Sequence, residues 1–263
     1  MSFLKLNSLD INNVKITYRD EGAGAPLVFL HGLAGNSKSW KHQFPEFSQT
    51  SRVIAWDAPG YGGSSILPPD LEIFGDTLKT FLVQLGLNKI ILVGHSMGGI
   101  IATHLAAKYP VLIKSLVLSC THSGHCATKG LPLNRQYVDR INSLIEGPAE
   151  KYGEECAKRI LTANASKSAL KMVANIAAET RQEGLETASR IIQEANNIKK
   201  LQSLHMPITV ISGEFDRVVS EKRTNYLLQL APHAKHLKLS RVGHAPYAED
   251  PVQFNQALKS IFK

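Results

Sequence analysis

Ser96 lies within the sequence GHSMG at residues 94–98, directly after the apolar run at 90–93. A Gly-x-Ser-x-Gly sequence between a strand and a helix is typical of a sharp turn that exposes a nucleophilic serine. Glycines relieve the crowding in such a turn, and the first N–H groups of the following helix favour negative charge. The pattern therefore predicts that Ser96 attacks an electrophilic carbon of a substrate.

The serine hydroxyl needs a base to remove its proton, and histidine is the side chain best suited to this near neutral pH. Of the ten histidines, His244 follows the last predicted strand, within the sequence GHAP. A carboxylate must in turn orient the imidazole. Asp216, in the loop after the strand at 208–211, is the predicted acid, and Glu214 in the same loop is the alternative.

Attack on a carbonyl group creates an oxyanion, which needs preorganised hydrogen-bond donors. We predict two backbone donors: the N–H of Met97, which follows the nucleophile, and the N–H of Leu33, after the strand at 27–30. A glycine in the second loop would allow its backbone to approach the substrate closely. The residues predicted to contact the substrate are His31, Gly32, His95 and His122.

Residues 120–126, CTHSGHC, place two cysteines and two histidines within seven positions. These are the residue types that bind zinc. No second cluster of such residues accompanies them, and so short a loop is poorly suited to tetrahedral ligation. We therefore predict no metal site and no cofactor, and we expect these side chains to line the pocket beside the nucleophile.

The elements that position these residues follow an alternating order of strands and helices, which predicts the α/β class with a mostly parallel sheet covered on both faces. The predicted strands are 26–30, 53–56, 90–93, 116–118, 208–211 and 235–239. The predicted helices of this part are 71–85, 100–109, 220–230 and 251–262. Between 122 and 203 the apolar spacing is helical only. We therefore predict a core formed by 1–121 and 204–263, interrupted by a helical insert at 122–203.

Taken together, these segments resemble the α/β-hydrolase superfamily. The matching segments are 30–32, 56–64, 94–99, 213–216 and 243–246, which occur in the order found in that family. The chain order of serine, acid and histidine also agrees with it. The resemblance implies an eight-stranded, mostly parallel sheet with a helical cap inserted after the sixth strand, and 122–203 matches that cap.

Within the superfamily the chain is most similar to small cofactor-free hydrolases: carboxylesterases, enol-lactonases, C–C bond hydrolases and pimeloyl-carrier-protein methyl esterases. Its serine nucleophile differs from the aspartate of epoxide hydrolases and haloalkane dehalogenases. We expect hydrolysis of a small carboxylic ester, lactone or thioester through an acyl-enzyme. The alternatives are a methyl esterase acting on an acyl carrier protein, a C–C bond hydrolase of vinylogous diketones, and a ligand receptor without turnover.

Composition and charge limit the classes of binding partner and the cellular compartment that we expect. The chain has 263 residues, three cysteines and a formal charge of +8. The cysteines are too few and too scattered for a secreted disulfide framework, and neither a signal peptide nor a membrane-spanning run is expected. We predict a cytoplasmic protein that binds a small ester or lactone and neither nucleic acid nor membrane. Its positive charge makes an acidic carrier protein a further candidate partner.

Overall fold

One sheet of eight strands runs through the computed structural model, which describes residues 4–261. The strands are β1 (Asn7–Ile11), β2 (Val14–Glu21), β3 (Ala25–Leu30), β4 (Ser51–Trp56), β5 (Ile90–His95), β6 (Ile113–Ser119), β7 (Ile208–Gly213) and β8 (Lys235–Leu239). Their order across the sheet is β1-β2-β4-β3-β5-β6-β7-β8. β2 is antiparallel to both β1 and β4, and all other neighbours are parallel. The predicted mostly parallel, eight-stranded sheet is therefore confirmed.

Helices occupy most of the connections between the strands. They are α1 (Phe44–Phe47), α2 (Leu71–Gln84), α3 (Met97–Lys108), α4 (Arg135–Glu146), α5 (Ala149–Ile160), α6 (Lys167–Ala177), α7 (Gln182–Glu194), α8 (Ile198–Gln202), α9 (Glu221–Leu230), α10 (Pro246–Glu249) and α11 (Pro251–Lys259). Two short 3₁₀ turns lie at Ser37–Trp40 and Pro110–Leu112. Among residues 4–261, no helix has the length and apolar character that a membrane crossing requires.

The apolar core lies on both faces of the sheet because successive strand residues point in opposite directions. Leu27 and Phe29 of β3 pack on one face in the same cluster as Trp40. Val28 and Leu30 pack on the other face in the cluster that contains α3. Helix α3 is buried along most of its length, which explains why its sequence is rich in small and apolar residues. This buried helix gives the site a rigid support.

The predicted elements agree with the structure in type and differ at their ends. The helix predicted at 100–109 begins at Met97, immediately after the serine. The closing helix predicted at 251–262 ends at Lys259. Position 262, like the chain ends at 1–3 and 263, lies outside the described residues. The short helices α1 and α8 were not predicted, because four or five residues are too few to show a helical period.

Helices α4 to α8 fill the connection between β6 and β7, and residues 120–207 contain no strand. Each of α4, α5, α6 and α7 turns an apolar stripe toward the rest of the protein, with the buried residues three or four positions apart. The location after the sixth strand agrees with the predicted insert. The division of 122–203 from the core as a separate unit stays a prediction.

The first turn of α7 lies directly against the loop that follows β4. A Cβ atom added at Gly184 would lie 2.2 Å from the carbonyl oxygen of Gly60. Nearby, the guanidinium of Arg181 donates a hydrogen bond to the Ser64 carbonyl, which belongs to the same loop. The insert is thus held against the core at a point where two backbones touch.

We predict that Gly184→Ala lowers the free energy of unfolding by about 1–3 kcal/mol, the usual cost of overpacking. The added methyl group meets a backbone oxygen, so the clash outweighs the gain of about 1 kcal/mol from replacing glycine in a helix. Urea denaturation followed by circular dichroism measures the change. Gly147→Ala is the matched control, because its new Cβ would be 3.4 Å from the nearest atom. Equal stability of the two variants would contradict this account.

Candidate active site

Ser96 occupies a strained turn between β5 and α3. Its φ of 52° and ψ of −116° are uncommon for a residue with a side chain, and such strain clusters at functional sites. A Cβ atom at Gly94 would lie 2.5 Å from the Gly98 carbonyl oxygen, and one at Gly98 would lie 2.3 Å from the Leu30 carbonyl oxygen. Glycine is therefore required at both positions for the strand, the helix and the β3 loop to meet. The turn leaves Ser96 partly exposed among buried neighbours.

The structure brings together Ser96, His244 and Asp216, which are far apart in the sequence. The Ser96 Oγ lies 3.0 Å from His244 Nε2. On the other side of the ring, His244 Nδ1 lies 2.9 Å and 3.1 Å from the two Asp216 carboxylate oxygens. With Nδ1 donating to the carboxylate, Nε2 is free to accept the serine proton. Each residue follows the carboxyl end of a parallel strand, which explains why they converge at one edge of the sheet.

Asp216 is held as an anion by its surroundings. Its side chain is 3% exposed, and its Oδ1 accepts hydrogen bonds from the N–H groups of Val218 and Val219. Burial raises the pKa of Asp216, but the charge of His244 and these hydrogen bonds outweigh burial and leave the pKa below its ordinary value. Glu214, the alternative acid, is exposed, and its carboxylate accepts a hydrogen bond from the Arg241 N–H.

Two backbone donors remain unused beside the serine. Within residues 4–261, neither the Leu33 N–H nor the Met97 N–H has a hydrogen-bond acceptor. The loop that carries Leu33 lies close to Ser96: a Cβ atom at Gly32 would be 3.0 Å from the Ser96 Cβ. Leu33 and Gly32 also line the cavity above the serine. The arrangement can therefore accept an oxygen that becomes negatively charged.

His95 lies beside His244 and forms a hydrogen bond with its backbone. Its Nε2–H donates to the His244 carbonyl oxygen at 2.8 Å, and the two rings lie 4.9 Å apart between centroids. His95 borders the cavity but is only 3% exposed. Burial, followed by the charge of His244, lowers the pKa of His95 to about 3. The ring therefore stays neutral and fixes the backbone that carries the base.

His31 is a correction to the sequence prediction. Its side chain is 1% exposed and lies outside the cavity lining, so it does not contact the substrate as predicted. Its Nε2 accepts a hydrogen bond from the Ala58 N–H at 2.9 Å, and its Nδ1–H donates to the Gly32 carbonyl. The reason is that His31 follows the end of β3 and joins this loop to the one after β4. It acts on the site only through the position of that backbone.

The four potential zinc ligands of residues 120–126 are not all brought together: the rings of His122 and His125 lie 4.9 Å apart between centroids, and the two cysteines lie elsewhere. His122 and His125 line the cavity, whereas Cys126 is exposed and Cys120 is buried. Across residues 4–261, the metal-ligand groups that do converge, with their atoms within 4.8 Å of one another, are Cys120, Asp216 and His244. Two of these groups are already hydrogen-bonded to each other. The predicted contact of His122 with the pocket thus agrees with its position in the wall.

The cavity above Ser96 has a volume of about 240 Å³ and is roofed by the insert. The charged residues of its wall are Arg140, Arg159 and Arg223, none of which was predicted from the sequence. Two of these arginines could have been recognised from their positions in the sequence. Arg140 lies three positions after the buried Tyr137, and Arg159 lies three positions after the buried Cys156. Both arginines therefore interrupt the apolar face of a helix.

The loop that carries His244 is also bonded to the insert. The His244 N–H donates to the carbonyl oxygen of Ile160, the last residue of α5, at 2.8 Å. The Glu249 carboxylate accepts hydrogen bonds from the N–H groups of Gly243 and Thr162 at 2.7 and 2.8 Å. The position of the base therefore depends on the insert as well as on the sheet.

Comparison with known proteins shows that this chain is similar to hydrolases in sequence and fold. A family model described as alpha/beta hydrolase fold matches residues 25–145. The chain is 26% identical over 256 residues to the (E)-2-((N-methylformamido)methylene)succinate hydrolase of Acinetobacter baylyi, covering 95% of this chain and 94% of that protein. It is 25% identical over 252 residues to a pimeloyl-[acyl-carrier protein] methyl ester esterase of Aliivibrio fischeri, covering 93% and 96%.

The crystal structure of the enol-lactonase from Burkholderia xenovorans LB400 has the same fold, with a TM-score of 0.86 at 21% identity, covering 97% of this chain and 99% of that one. A strained serine turn on an eight-stranded, mostly parallel sheet with helices on both faces defines the class of α/β hydrolases. The fold is that of alpha/beta hydrolases, as the sequence resemblance predicted, and the chain is a hydrolase.

We predict that His95 and His122 remain neutral between pH 5 and 8. Burial, followed by the charges of His125 and Arg223, lowers the pKa of His122 to about 3, and His95 has a similar value. The ring proton resonances of both residues should not shift over this range in NMR spectra, whereas a titrating ring would contradict the prediction.

The same shifts link protonation to stability. In the unfolded chain these rings titrate near an ordinary pKa of about 6.5. Their contribution to stability is therefore fully present above about pH 6.5 and is lost as the pH falls toward the folded value of about 3. His122→Asn should make the decline in unfolding free energy less steep. Replacement of the exposed His205 by Asn is the control.

Proposed function

We propose that the chain is a serine hydrolase that cleaves a small carboxylic ester, lactone or thioester through an acyl-enzyme intermediate. The observation that carries the proposal is the continuous hydrogen-bonded series from the Ser96 hydroxyl through His244 to Asp216. A hydroxyl in this arrangement can lose its proton to the imidazole as it attacks a carbonyl carbon. The unused Leu33 and Met97 N–H groups supply the donors for the resulting oxyanion.

The reaction proceeds in two halves. Ser96 Oγ bonds to the carbonyl carbon while its proton moves to His244 Nε2, and Asp216 stabilises the imidazolium through Nδ1. As the tetrahedral intermediate collapses, the imidazolium returns the proton to the leaving alcohol or thiol and the acyl-enzyme forms. His244 then takes a proton from water as the water oxygen bonds to the acyl carbon. When this second tetrahedral intermediate collapses, its bond to Ser96 Oγ breaks, the imidazolium returns the proton to Oγ, and the acid departs. In a lactone, the leaving alcohol stays attached to the acid.

The relatives support this range of substrates. The named activity of the Aliivibrio fischeri relative is on a methyl ester, and the Burkholderia xenovorans structure is that of an enol-lactonase. We propose that the helical insert at 122–203 acts as the cap over the cavity. Gly32 and His122, which lie in the cavity wall, are the proposed substrate contacts from the sequence prediction.

A second candidate is a methyl esterase whose substrate is attached to an acyl carrier protein. The formal charge of +8 suits an acidic partner, and the printed name of the Aliivibrio fischeri relative refers to such a substrate. This candidate requires a preference for the carrier-linked ester that weakens as salt screens the charges. Equal kcat/KM on the free and carrier-linked methyl esters would exclude it.

We predict that a fluorophosphonate probe labels Ser96 and that Ser96→Ala lowers kcat on ester substrates by about 10⁴-fold or more. The variant loses the nucleophile but keeps the fold, because alanine fits wherever serine does. Mass spectrometry of the labelled peptide and steady-state kinetics measure the two effects. Ser39, which also borders the cavity, gives the control Ser39→Ala, and this variant should still be labelled at Ser96. Labelling elsewhere, or binding of esters without turnover by the wild type, would refute the proposal.

Asp216→Asn should lower kcat by about 10⁴-fold, the loss expected when an imidazole is held in the wrong tautomer. Glu214→Gln should change kcat by less than about 2-fold, because the Glu214 carboxylate bonds to the Arg241 N–H instead of the base. Steady-state kinetics on one ester compares the two isosteric changes. A larger loss in the Glu214 variant would reverse the assignment of the acid.

A further inference from the structure

The cavity wall is positively charged without compensation. It carries Arg140, Arg159 and Arg223, and the part of the chain that the structure describes contributes no Asp or Glu to the lining. The same cavity is bordered by Ser96 and His244. The chain has 22 acidic residues, so carboxylates that could pair with these arginines are available elsewhere on the molecule. No carboxylate therefore neutralises these arginines within the wall that the structure describes.

Arg140 and Arg159 lack hydrogen-bonding and ion-pair partners in the described part of the protein. Across residues 4–261, neither guanidinium donates a hydrogen bond or forms an ion pair. Arg140 lies over the ring of Tyr137 at 5.8 Å from its centroid, and both arginines are partly buried. Arg223 differs, because its Nη1 donates to His125 Nε2 at 3.0 Å. The N–H donors of Arg140 and Arg159 are therefore not used within the described residues, and they can bind a ligand.

The two arginines line one cavity, and the positive charge of Arg159 acts on Arg140. Burial, followed by the positive charge of Arg159, lowers the pKa of Arg140. The groups that act in the opposite direction are tyrosine and cysteine side chains: Tyr137, Cys156 and Tyr152. Two like charges in a partly dry pocket destabilise the free protein, and an anion bound between them would relieve this cost.

We propose, on the basis of the proposed function, that the substrate carries a carboxylate remote from the bond that is cleaved, and that Arg140 and Arg159 bind it. Guanidinium groups bind carboxylates through paired, charge-assisted hydrogen bonds, and Arg140 is held in place by the Tyr137 ring. The apolar side chains of Ile160, Val173 and Ile192 also line the cavity and suit a short hydrocarbon spacer. A cavity of about 240 Å³ limits the substrate to a small molecule.

The test compares esters that differ only in the remote carboxylate. One arm pairs monomethyl esters of C4 to C7 dicarboxylic acids with methyl esters of the corresponding monocarboxylic acids, which places the charge on the acyl side. The other arm pairs acetate esters of hydroxy acids with acetate esters of simple alcohols, which places it on the leaving group. We expect kcat/KM to favour the charged ester by about 10- to 100-fold in one arm, as for a hydrogen-bonded charge.

The variants are Arg140→Gln and Arg159→Gln, and the matched control is Arg135→Gln. Arg135 belongs to the same helix as Arg140, but its side chain is 93% exposed and outside the cavity. Each of the first two changes should remove most of the preference for the charged ester through a higher KM and leave the neutral ester within about 3-fold. The control should keep the preference, which separates local binding from the effect of net charge. Because no protein acceptor loses its donor, neither cavity variant should lower the melting temperature.

Binding provides a readout that does not depend on turnover. Calorimetry with Ser96→Ala should detect the monomethyl dicarboxylates or the acetylated hydroxy acids, and adding Arg140→Gln should weaken that binding by about 10-fold or more. Equal binding and equal kcat/KM for charged and neutral esters would overturn the carboxylate site while the serine mechanism stands. Loss of Ser96 labelling and of all ester turnover would instead overturn the proposed function. A preference kept in both arginine variants would also refute the assignment.

Discussion

The backbone conformation at Ser96 is the constraint on which the rest of the site depends. A residue with a side chain is held at a φ of 52°, and this is possible only because glycines at 94 and 98 let three segments touch. Strain of this kind persists only where the surrounding structure determines it. Here the buried strand β5 and the buried helix α3 supply that support on either side of the serine. His244 reaches the Ser96 hydroxyl only because this turn points that hydroxyl outward.

Local sequence was sufficient to predict the residues whose role depends on position relative to a strand end. The serine turn, His244 and the loop with Asp216 were all found in this way, since parallel strands bring their carboxyl ends to one edge. The choice between Asp216 and Glu214 remained open in the sequence, because two residues of one short loop can point in different directions. His31 was wrongly expected to contact the substrate. Its partner, the N–H of Ala58, comes from another loop and cannot be found from local sequence.

The helical insert contains residues whose role could not be predicted from local sequence. Its helices were predicted from apolar spacing, yet the arginines that interrupt that spacing were overlooked because a single charge at a helix face usually lies at its solvent edge. Only the packing of α4 beside α5 shows that Arg140 and Arg159 face one pocket. A chain that keeps two such charges without partners gives up stability there. A binding surface can require such a loss of stability, whereas ordinary packing does not.

The hydrogen bond from the His244 N–H to the end of α5 has a mechanical consequence. If this end of the cap swung away, it would take with it one support of the imidazole, and Glu249 would lose its bridge between Gly243 and Thr162. An entrance that opened there would therefore be paired with a disabled base. The first turn of α7 is also held against the core, through the close contact of Gly184 with Gly60 and the hydrogen bond from Arg181 to the Ser64 carbonyl. The insert is therefore tied to the core at two separate places, and the tie at α5 couples the roof of the cavity to the imidazole.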